Sequence, residues 1–153
     1  SESSIDTIFD AIRRSLREGG ARTISFEYDE HGHACQIDFC LPIGAETATF
    51  RLPARMQGVE PPLMKSYQAA HRTCPQGNAL TDQVERVAWA NLRDWVAAQI
   101  ALIRSSMVVA HEVFLPYMLL EANGLTCFEM FERRRALPSP TNEQRGYVRV
   151  LEE

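Results

Sequence analysis

The chain has 153 residues, 45% of them hydrophobic, which is enough for the core of one domain. Its net charge of −4 and pI near 5.6 count against a broad electrostatic grip on phosphates. No apolar run approaches the roughly 18 residues that a membrane-spanning helix needs.

The first 60 positions hold six arginines against ten Asp/Glu, whereas the remainder balances ten Lys/Arg with ten Asp/Glu, so the charge deficit is N-terminal. The opening residues show an amphipathic pattern rather than the h-region of a signal peptide, and the expectation is a soluble, cytoplasmic protein of a bacterial host. Four cysteines at irregular spacings are then expected as reduced thiols.

In chain order, Ile5, Ile8, Phe9, Ile12 and Leu16 recur at three and four after Ser3 or Ser4 as N-cap, and Gly19-Gly20 ends the pattern, which predicts a first helix. Three segments of period two follow: Ile24, Phe26 and Tyr28; Cys35, Ile37, Phe39 and Leu41; Ala48, Phe50 and Leu52. Short turn-rich connectors join them, which predicts an antiparallel meander with helices on one side. Residues 53–79 are rich in Pro and Gly and read as loop, with a short helix over 63–72. The longest periodic run, with both tryptophans, predicts a central helix over 82–104 that Asp82 and Glu85 open as a capping box. Short helices are expected over 108–115 and after a second capping box at Thr126 and Glu129, ending in Arg133-Arg134-Arg135. The fold class expected is α+β: an N-terminal helix, a three-stranded antiparallel β-meander, a long central helix and short C-terminal helices. One domain covers 1–135, and 136–153 form a tail, part linker and part edge strand.

Motifs of known chemistry are scarce. There is no G-x-S-x-G, Walker or G-x-G-x-x-G sequence, and His111-Glu112 lacks the second histidine of HExxH because Leu115 stands there. His31, His33, His71 and Cys74 are weak zinc candidates, since no paired CxxC or HxxxH knuckle supports them. Asp38 and Glu46 suggest clustered carboxylates, but no lysine lies near them in sequence. A double-stranded RNA-binding domain would need lysines opening the last helix, where TDQVER stands instead. No cofactor is expected.

Three words, FRLPA (50–54), RVAWANLRDWVAAQIAL (86–102) and EVFLPYML (112–119), resemble a family of small uncharacterised proteins encoded by phages, prophages and related mobile elements. The resemblance implies a phage accessory protein and no particular reaction. The first helix, the first two strands and the histidine turn lie outside the resembling words.

The favoured reading is a non-enzymatic interaction protein whose acids Glu27, Asp29, Glu30, Asp38 and Glu46 contact a basic, nucleic-acid-binding partner complex, as an inhibitor of a nucleic-acid-guided host defence would. The alternative is a single-stranded nucleic-acid-binding module using Arg51, Arg55, Arg72 and Arg133 to Arg135, with Tyr67 as a stacking platform. The second alternative is a zinc- or carboxylate-dependent enzyme. The central helix has two adjoining apolar stripes, so a homodimer through Trp89, Val96, Ile100 and Ile103 is weighed against cover of the second stripe by residues 108–135.

Overall fold

The computed structural model describes residues 4–121 and 123–137. The tail expected over 136–153 therefore lies outside the described residues from 138 onward. Helix α1 (Ile5–Glu18) is followed by strands β1 (Arg22–Tyr28), β2 (Ala34–Ile43) and β3 (Glu46–Pro53), and then by a 3-10 turn, Met56–Gly58. Helices α2 (Glu60–Ala69), α3 (Asn78–Arg104), α4 (Ala110–Phe114) and α5 (Cys127–Arg135) complete the order, with a second 3-10 turn, Leu115–Tyr117, between the last two. The architecture is the α+β arrangement expected from periodicity, and the sheet is an antiparallel meander in the order β1-β2-β3.

Helices α1 and α3 cover one face of the sheet. Ile8, Phe9, Ile12 and Leu16 of α1 pack with Ile37, Phe39, Leu41, Phe50 and Leu52 of the strands and with Trp89, Val96 and Ile100 of α3. The Trp89 ring meets Phe9 edge-on at 5.2 Å and Phe26 at 5.3 Å, and its Nε1 donates to the carbonyl oxygen of Ala34 at 3.0 Å. That bond satisfies an indole N–H that burial would otherwise orphan. Phe9 meets Trp89 while Gly19, ten residues on, meets Ile100, so α1 and α3 run in the same direction. The C-terminal segment covers the neighbouring stripe of α3: Trp95 packs against Phe114 and Tyr117, at 5.8 and 5.9 Å.

Several elements depart from the periodic pattern. Irregular pairing between Glu27 and Tyr28 shifts the register, so Tyr28 is exposed and Ala34 is fully buried, while Cys35 is only half-buried. Helix α2 starts at Glu60, earlier than expected, because Pro61 lies in the first turn, where its missing N–H costs nothing. Helix α3 starts one turn before Asp82, at Asn78, so Asp82 and Glu85 are not its cap. The Thr126–Glu129 capping box is present, with bonds of 3.2 and 3.0 Å. A single bridge, Phe50–Met118, ties the segment before α5 to the free edge of β3, and a second, Leu119–Thr126, closes that segment on itself. All four cysteines are free thiols.

Candidate functional site

The β1–β2 turn is built on Asp29. Its carboxylate Oδ1 accepts from the backbone N–H groups of His31 and His33, both at 2.9 Å, and Gly32 supplies the left-handed conformation (φ +81°) between them. The backbone N–H of His33 is the main reason the Asp29 carboxyl is held below the usual aspartate range, followed by the N–H of His31 and the two nearby imidazoles. The His33 ring then lies between two acids, with Nε2 at 3.3 Å from Asp82 Oδ1 and Nδ1 at 3.9 Å from Asp29.

Glu85 lies one turn beyond Asp82 on α3 and reaches β2, where its carboxylate accepts from the backbone N–H of Ala34. Its Oε2 is buried without a partner among the described residues. Burial pushes the Glu85 carboxyl above the ordinary glutamate range, against the pull of His33. Glu85 and Trp89, one turn apart, thus hold the two ends of Ala34: the first takes its N–H and the second its carbonyl oxygen.

Beside this cluster opens a cleft of about 700 Å³ between the β1–β2 turn, the Met56–Gly58 turn, the start of α2 and the start of α3. Asp29, Glu60 and Asp82 line it together with His31 and His33, and among the described residues no lysine or arginine does. Such a surface presents fixed carboxylates to an ammonium or guanidinium group. Among the described residues its lining hydroxyl is that of Thr81, which donates to the Gly77 carbonyl oxygen at 3.2 Å.

Of the acids singled out in the sequence, Asp29 lines this cleft, and Glu30 is exposed in the same turn. Glu27 projects from β1 and accepts from the Ser25 hydroxyl at 2.9 Å, and Glu46 lies exposed at the β2–β3 hairpin, at the other end of β2. Asp38 is neutralised: Arg51 donates to it from Nε and Nη2, each at 2.9 Å. Sequence reasoning missed Glu60, Asp82 and Glu85, because D-x-x-E at the head of a helix reads as a cap and nothing local says that both side chains turn to another element.

The basic candidates do not form one stripe. Arg51 is taken by Asp38, Arg72 lies 5.3 Å from the Tyr67 ring beyond α2, and Arg55 lies 5.2 Å over Phe128. Arg133, Arg134 and Arg135 end α5, the last paired with Glu132 at 3.0 Å. His71 and Cys74 follow α2 and are not part of the cleft that His31 and His33 line. Among the described residues no three of His, Cys, Asp and Glu are grouped as metal ligands.

The self-association patch needs correction. Trp89, Val96 and Ile100 are covered inside one chain by α1 and the sheet, which leaves only Ile103 of the four partly open. A two-fold contact through that stripe would have to displace α1. No helix among the described residues is long and apolar enough to cross a membrane. The chain matches no protein-family model, no curated protein and no solved structure.

Proposed function

We propose that this chain is an interaction protein of a phage or other mobile element, and that it acts by occupying a basic surface of a partner protein. The observation that supports this reading is the cleft itself, where Asp29, Glu60 and Asp82 converge with no lysine or arginine among the described lining residues. A field of one sign in a concave site attracts a protruding lysine or arginine and speeds its encounter. A nucleic-acid-binding complex offers such side chains, and inhibition of a host defence complex of that kind follows from covering them. The cleft replaces the broader acidic set as the contact: Asp29 remains in it with Glu30 exposed in the same turn, Glu60 and Asp82 join, and Asp38 leaves because Arg51 neutralises it.

The test is affinity capture from a bacterial host extract with the wild-type chain and with the paired substitutions Glu60→Gln and Asp82→Asn. Both residues are solvent-exposed, so the variant is expected to fold. A captured protein with a basic surface should be released as salt shortens the Debye length from about 10 Å at 0.1 M to about 3 Å at 1 M. The variant should retain about a tenth of it or less. Capture that survives 1 M salt, or is equal in the variant, overturns the reading.

A further inference from the structure

A second surface lies on the other side of the Met56–Gly58 turn. Between the end of β3, that turn and the middle of α3 is an apolar pocket of about 290 Å³, walled by Leu52, Val59, Ala88, Leu92, Trp95 and Tyr117. Arg55 stands at its edge, exposed, with its guanidinium 5.2 Å over the ring of Phe128 on α5. Among the described residues Arg55 has no ion-pair partner, although Arg51, four residues earlier, is fully engaged. An apolar pocket with one oriented cation on its rim asks for a ligand with one apolar group and one neighbouring anion.

We propose that this pocket docks a short acidic peptide segment of a partner protein, with one large apolar side chain between Trp95 and Tyr117 and an adjacent carboxylate on Arg55. Stacking over Phe128 holds the guanidinium before the ligand arrives, which lowers the ordering cost of a bidentate pair. Aromatic and arginine side chains are also the groups that anchor protein interfaces. Nucleic acid is the weaker fit. It needs several phosphates neutralised, whereas among the described residues the pocket is lined by a single cation, Arg55, the adjoining cleft is lined with acids, and the chain is −4 overall. This docking is independent of the acidic cleft and stands if that reading fails.

The experiment is selection of a display library of random dodecapeptides on the immobilised chain, followed by anisotropy titration of an enriched peptide. Enriched sequences should carry a Leu, Ile, Phe or Trp flanked by Asp or Glu. Binding should weaken about tenfold or more in Arg55→Gln and in Asn91→Trp, which fills the pocket mouth from an exposed position. Circular dichroism of both variants should match the wild type. The Glu60→Gln, Asp82→Asn pair should leave this binding unchanged. Absence of enrichment, enriched sequences without acids, or equal binding by either variant overturns the proposal. So does tighter, Arg55-dependent binding of a labelled oligothymidylate, or a solution mass of about 35 kDa (2 × 17.3) that Asn91→Trp halves, since each names another occupant.

Discussion

Asp38 on β2 and Arg51 on β3 face each other across the side of the sheet turned away from α1 and α3, and share two hydrogen bonds of 2.9 Å. The hydrogen bond to Asp38 is the main reason the guanidinium is held above its ordinary range. The side chains are 18% and 32% exposed, so the pair is partly shielded from water. A double-mutant cycle of Asp38→Asn and Arg51→Gln, followed by urea denaturation, should give a coupling of about 1 kcal/mol, above the median surface pair because the geometry is bidentate. A coupling indistinguishable from zero would return both residues to the pool of free charges.

That pairing shows where the sequence was legible and where it was not. Period-two alternation implies that Asp38 and Arg51 lie on the polar side of their strands, but strand register decides whether two outward charges meet, and register is a tertiary property. Each was therefore assigned to an opposite function when in fact they cancel. The same limit hid the cleft: Asp82 and Glu85 have the spacing of a helix cap, and only the approach of the β1–β2 turn shows them bound to His33 and to Ala34. The apolar stripes of α3 are legible as stripes, but whether a second copy or the same chain covers them depends on α1 lying alongside α3, which no local pattern states. Local signals sufficed where they act locally, as at the Thr126–Glu129 box.

The two tryptophans should differ in cost. Trp89 is fully buried and bonded to Ala34, whereas Trp95 is half-buried beside the apolar pocket. Trp89→Ala should destabilise by about 3–5 kcal/mol through the cavity and the orphaned carbonyl, and Trp95→Ala by about 1–3. Chemical denaturation of both variants checks the order, and a larger loss for Trp95 would misplace the centre of the core.

Glu85 gives the protein a pH dependence with a definite sign. Its folded carboxyl titrates above the ordinary value, near 4.3, because burial disfavours the charged form. The folded state then holds the proton more tightly than the unfolded chain, so this group's contribution is greatest below the ordinary value and declines as pH rises through the folded one. Asp29 has the opposite sign, since its lowered carboxyl adds stability that is lost as pH falls through its folded value. Comparing Glu85→Gln with wild type isolates the first effect, because the amide oxygen can still accept from Ala34. The variant should melt at higher temperature at pH 7, with the gain shrinking toward pH 4. A gain that stays constant across that window would mean that the charge is not its source.

Gly19 ties the end of α1 to α3 by size alone. Its φ of −82° is open to any residue, so no left-handed conformation explains the glycine. A Cβ built there would stand 2.5 Å from Cδ1 of Ile100, a side chain only 3% exposed and packed in the core. Gly19→Ala must push that methyl group aside or separate the helices, and overpacking of this kind costs about 1–3 kcal/mol. Ile100→Val removes the same methyl at a cost of about 0.5–1.5 kcal/mol. If the clash is the cause, the double variant should be less destabilised than the two changes added together, with an interaction of about 1 kcal/mol visible in denaturant midpoints. Simple additivity would show that α1 and α3 do not meet at this point.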